Sequence, residues 1–124
     1  MTKIETKNAP SAIGPYSQGI ITGNIIYSSG QIPINPESGN IEASDIEGQT
    51  HQACRNIRAL LEASGSDMSK VVKTTCYLQR ISDFAAFNSV YEQYFISKPA
   101  RSCVEVGALP KGALVEIEVV AEKS

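Results

Sequence analysis

The chain has 124 residues, 42% hydrophobic and 19% charged, with 11 basic against 13 acidic side chains and a formal charge of −2. That length holds one domain with its own core, and that balance excludes a nucleic-acid module relying on counterion release and a polybasic membrane anchor. One histidine (His51) and three cysteines (Cys54, Cys76, Cys103) exclude, within one chain, a two-histidine ribonuclease centre, paired-histidine metal ligation, a disulfide framework and a zinc ribbon. Free thiols, a start without an apolar signal core and no apolar run near the ~18 residues of a membrane span point to a cytoplasmic protein with no metal.

The first thirty residues alternate turn signals with short β-prone runs. Gly19–Thr22 and Ile25–Ser28 flank Gly23-Asn24, a dipeptide that tolerates positive φ, so the spacing predicts a hairpin. Pro33, Pro36, Ser38 and Gly39 predict a loop. Ser44-Asp45-Ile46-Glu47 fits a capping box, and Thr50, Ala53, Cys54, Ile57, Leu60, Leu61 and Ser64 then form one stripe at helical spacing, ending at Gly65. His51, Arg55, Arg58 and Glu62 fall on the other side, which makes His51 a solvated helix residue rather than a catalyst.

Val71–Leu78, rich in β-branched residues, reads as a strand. A second helix begins near Ser82 or Asp83, carries Phe84, Phe87, Tyr91, Tyr94 and Phe95 as a core stripe, and ends at Lys98-Pro99. Strands over Arg101–Gly107 and Ala113–Ala121 close the chain. The order β-β-β-α-β-α-β-β gives an α+β single domain over residues 1–124, with a mixed sheet and two helices on one face. Two helices cannot cover both faces of such a sheet, so the free face is expected to meet other copies of the chain.

Three residues carry candidate chemistry. Arg101, on a face expected to be covered, needs an anion, either a carboxylate such as Glu105 or Glu118 or a ligand. Cys103 shares its face and is inert packing or, with its pKa lowered by Arg101, a reactive thiol. Glu116, inside a β-branched strand, faces solvent or pairs with a lysine; in a cleft with Arg101 it could instead deprotonate a water. Arg101 would then grip a substrate carboxylate while Glu116 aims that water at the adjacent carbon.

Pro99-Ala100-Arg101-Ser102-Cys103-Val104-Glu105-Val106, followed by Leu109-Pro110 and Val115-Glu116-Ile117, resembles the C-terminal signature of the RidA (YjgF-like) family. Ala12–Gly19, Tyr27–Gln31 and Phe87–Tyr91 resemble it too, so the likeness spans residues 8 to 121. It implies a chorismate-mutase-like fold and a homotrimer with clefts between subunits. It also implies hydrolysis of 2-imino acids, released by pyridoxal-phosphate-dependent dehydratases, to 2-keto acids and ammonia, without a cofactor. By motif, Arg101 would bind the carboxylate and Glu116 would position the water. Tyr16, Ser29, Gly30, Asn88 and Cys103 would line the pocket, with Gly30 letting backbone approach the ligand.

Two other functions compete. Some members of the family are described as ribonucleases or translation inhibitors, against which stand the acidic pI of 5.4 and the lone histidine. A noncatalytic keto-acid-binding, regulatory or chaperone protein of the same fold would keep Arg101 but have no need of Glu116.

Overall fold

Along the last strand Val115, Ile117, Val119 and Ala121 alternate with Glu116, Glu118, Val120 and Glu122. Successive strand side chains point to opposite faces, and the first set is buried while Glu116, Glu118 and Val120 are half-exposed. The structure, a computed structural model, describes residues 1–124. In chain order it contains β1 (Thr2–Ile4), β2 (Gly19–Thr22), β3 (Ile25–Ser28), β4 (Ile34–Asn35), β5 (Asn40–Ile41), α1 (Ile46–Ala63), β6 (Val71–Leu78), α2 (Phe84–Tyr94), β7 (Ala100–Glu105) and β8 (Val115–Glu122).

Six strands form one sheet in the order β1-β2-β3-β8-β6-β7, with β4 and β5 paired apart. Only β6 and β7 run parallel in the main sheet, joined through α2 as a parallel pair requires a crossover. The β2–β3 hairpin turns at Gly23, whose φ of 57° suits glycine. Both helices pack on one face, where Cys54, Ile57, Leu60 and Leu61 of α1 and Phe87 and Tyr91 of α2 meet Cys76, Leu78, Val115 and Ile117. The expected architecture is the one observed. No helix is long and apolar enough to cross a membrane.

Local details differ from expectation for identifiable reasons. Asp45, not Ser44, caps α1 by accepting from the Gly48 N–H at 2.7 Å; a carboxylate at a helix N-terminus also gains from the helix dipole. The expected loop over 33–39 contains part of the short β4–β5 ladder. Helix α2 stops at Tyr94, before the predicted Lys98-Pro99, with Lys98 itself left-handed at φ 52°. His51 is half-buried rather than solvated, its Nδ1 bonded to the Tyr94 hydroxyl at 2.9 Å.

Asn56, fully buried in α1, ties the core to the loop after β3. Its Nδ2 donates to the Ile32 and Ile34 carbonyls at 3.1 and 2.9 Å. Phe87→Ala is expected to lower unfolding free energy by about 3–5 kcal/mol. Asn56→Ala, which strands those carbonyls, should cost about 1–3 kcal/mol. Urea denaturation at fixed protein concentration measures both; a Phe87 loss near zero would contradict this account of the core.

Candidate active site

The sequence-predicted residues fall into two groups on opposite faces of the sheet. In the parallel ladder Arg101 stands against Thr74 and Cys103 against Cys76. Thr74 and Cys76 are fully buried under the helices, so Arg101 and Cys103 share the helix-bearing face. In the antiparallel ladder Glu116 stands against Tyr77, which points the other way. Arg101 and Glu116 therefore cannot meet across one cleft of a single chain.

The Arg101 group is built on α2 and β7. The Arg101 Nη1 donates to Asn88 Oδ1 at 2.6 Å. Its guanidinium lies 4.8 Å from the Tyr91 ring centroid and 5.3 Å from that of Phe84, contacts in which a cation meets the negative face of a ring. Glu105, a candidate partner by sequence, accepts instead from the Ile81 N–H at 2.8 Å, and Glu118 lies on the opposite face. A neutral amide and three rings, Phe87 at 6.0 Å being the third, orient the guanidinium without neutralising it, leaving its charge for an incoming anion. The groove beside it is lined by Asn88, Tyr91, Glu92, Ile96 and Pro99.

Cys103 does not have the lowered pKa that its neighbour suggests. Burial raises the thiol and Arg101 only partly opposes it. Cys76 is pushed up to about 12 by burial, and burial raises Cys54 as well. These thiols are packing groups at neutral pH.

The Glu116 group is built on β8, the segment after β3 and the loop before β2. Glu116, Gly30 and Tyr16 border a cavity of about 310 Å³, whose walls include Ile13, Ile32 and Lys111. The Gln31 N–H donates to the Ile117 carbonyl at 2.8 Å, and the Ile117 N–H returns a bond at 3.1 Å. That two-way bridge holds Gly30 beside Glu116. A Cβ on Gly30 would lie 2.8 Å from the Glu116 Cδ and overlap the carboxylate, so the glycine makes room for a protein side chain. Ser29 donates through its hydroxyl to the Ser17 carbonyl at 2.5 Å and through its N–H to the Gln18 carbonyl at 2.9 Å. It holds the loop that carries Tyr16, whose ring is about half exposed. Burial raises the Glu116 pKa, and Glu118 adds to the rise.

Sequence reasoning missed the aromatic cradle, although Phe84, Asn88 and Tyr91 at four- and three-residue spacing were its signal; the rings are core and cradle at once. It also missed Lys111, held at φ 57° beside the cavity, which no local pattern marks.

The family profile described as Endoribonuclease L-PSP matches residues 6–123. A Lactococcus lactis relative, AldR, named as a candidate regulator, is 51% identical over 98% of each chain. The 2-iminobutanoate/2-iminopropanoate deaminase of Escherichia coli K12 is 48% identical over 95% of this chain and 94% of its own. The crystal structure of E. coli TdcF with bound serine superposes with a TM-score of 0.95 at 41% identity, covering 100% of both chains.

A raised carboxylate pKa in the fold means that protonation favours the folded state. Any stability from the protonated form is present below the unfolded pKa, about 4.3, and is lost as pH rises through the folded value. At pH 7 the charged Glu116 is thus a cost. Glu116→Gln should raise the melting temperature at pH 7, with the advantage fading below about pH 4. Thermal scans across that range check it, and a destabilised variant at pH 7 would contradict it.

Proposed function

The chain belongs to the Endoribonuclease L-PSP family, the RidA/YjgF group, and on that footing we propose that it hydrolyses 2-imino acids to 2-keto acids and ammonia. The observation that carries this reading is the division of labour across the sheet. One recess holds an oriented, unneutralised guanidinium and the other a partly desolvated carboxylate. A 2-imino acid needs both, a cation for its carboxylate and a base for water attacking the adjacent carbon.

In this reading Arg101 holds the substrate carboxylate in a fork, and the Asn88 amide fixes the angle of that fork. Glu116 takes a proton from water as its oxygen bonds to C2 of the imine, forming a carbinolamine. The same carboxyl gives that proton to the carbinolamine nitrogen; as the C–N bond breaks and its electron pair leaves on ammonia, Glu116 takes the hydroxyl proton and the keto group forms. An imine is electrophilic enough for orientation and one acid/base group to suffice. Tyr16, Ser29 and Gly30 bound the water side, and Cys103 bounds the carboxylate side.

Because the two halves face apart, we assign each working site to two copies, one presenting Arg101 and the other Glu116. The helix-free face suits such contact, with Tyr27 and Val104 about half exposed beside Tyr77 and Val120. A head-to-tail contact of unlike patches closes into a ring, and a homotrimer with three equivalent clefts is the assembly proposed, working in the cytoplasm. The bound serine in TdcF supports recognition of a small amino-acid-like carboxylate. Ribonuclease chemistry finds less support, since His51 is already bonded to Tyr94 and the net charge is negative.

The test couples a threonine or serine dehydratase to the protein and follows loss of the imine. Arg101→Ala should abolish saturable binding, and Glu116→Ala should lower kcat about a hundredfold or more. Gly30→Ala, by displacing that carboxylate, should cost about a hundredfold in a folded protein. Wild-type turnover in the Glu116 variant would remove it from the mechanism.

A further inference from the structure

Glu116 has a second carboxylate for a neighbour. Glu118 follows it two residues along β8 and so shares its face. Tyr77 stands opposite Glu116 in the ladder, yet its hydroxyl crosses diagonally and donates to Glu118 Oε1 at 2.5 Å. Thr75, the partner of Glu118 in register, accepts from Lys73 Nζ at 3.2 Å. Glu118 is therefore engaged by a donor, whereas Glu116 borders the cavity.

Partial burial disfavours the charged form of Glu116, and a carboxylate beside it adds to this. We infer that Glu118, held in place by the Tyr77 hydroxyl, is a positioning residue whose carboxylate, next on the same face of the strand, helps Glu116 accept a proton from water. The assignment rests on the imine-hydrolysis reading for its purpose, but not for its geometry.

The other groups facing Glu116 do not duplicate this role. β6 contributes Tyr77 itself and, farther along the same face, Lys73, whose ammonium donates to Thr75; the segment Ser29-Gly30-Gln31 has no ionisable group. The turn before β8 contributes Lys111 and the loop before β2 contributes Tyr16, both on the cavity wall. In the proposed assembly Arg101 of a second copy faces it too. The cation opposes protonation of Glu116, whereas Glu118 promotes it. Tyr77, pushed up to about 12 by its bond to Glu118, remains a donor throughout the neutral range.

The experiment has two readouts on the full-length protein. Carbon-13 titration of glutamate carboxyls, with Glu116 assigned through Glu116→Gln, follows the proton directly and needs no activity. The pH profile of kcat/KM for imine hydrolysis follows its consequence. Glu118→Gln should move the Glu116 midpoint and the acid limb to lower pH and reduce kcat on the plateau, as a weaker base must. Glu118→Asp, which keeps the charge, should retain most of the wild-type position. Tyr77→Phe should move both readouts in the same direction but less, and the double variant no further than Glu118→Gln alone. A Glu116 midpoint unchanged in Glu118→Gln would overturn the inference even with imine hydrolysis intact. A shifted midpoint in a protein that hydrolyses no imine would uphold the pairing and overturn the functional reading.

Discussion

A strand shows its side chains to alternate faces, and a sheet covered on one side by two helices has one face left. That constraint governs how this molecule can work. Arg101 shares the covered face with Thr74 and Cys76, while Glu116 shares the open face with Tyr77. No loop motion brings them together without unpairing the sheet. If both act on one substrate, the fold requires a second copy to complete the site.

The two faces prepare their residues by different physics. On the helix side a charge is kept available by giving it neutral partners, the Asn88 amide and the rings of Phe84, Phe87 and Tyr91. On the open side a carboxylate is made a better base by partial burial and by a neighbouring anion. The second arrangement costs stability, because burial disfavours the Glu116 charge. Activity and stability should therefore oppose each other at Glu116.

Much of the fold was legible because local and global signals agree. Gly23-Asn24 between β-prone runs became the hairpin, the stripe from Thr50 to Leu61 became the buried face of α1, and β6 occupies the predicted residues 71–78. The candidate site residues were visible as motifs, but not their distribution. Which face Arg101 takes depends on the register of β7 against β6, a pairing that no stretch of β7 encodes alone. Of the two readings of Cys103, inert packing or a thiol activated by Arg101, the structure favours the first, because burial, a property of the assembled core, outweighs a single neighbouring cation. His51 is half-buried rather than solvated for the same reason, since its partner Tyr94 lies 43 residues away. The role of Gly30 was half seen: a missing Cβ does matter there, and the group filling the space is Glu116.

The central claim, that one site takes its arginine and its glutamate from different copies, can be tested by subunit mixing. Arg101→Ala and Glu116→Ala proteins, each inactive alone, are dissociated together in denaturant and reassembled at equal amounts. Random assembly into rings should bring an intact arginine against an intact glutamate in about a quarter of the sites, and imine hydrolysis should return to about that fraction of wild type. A reassembled mixture as inactive as either variant would show that Arg101 and Glu116 serve a site within one chain, or no common site at all.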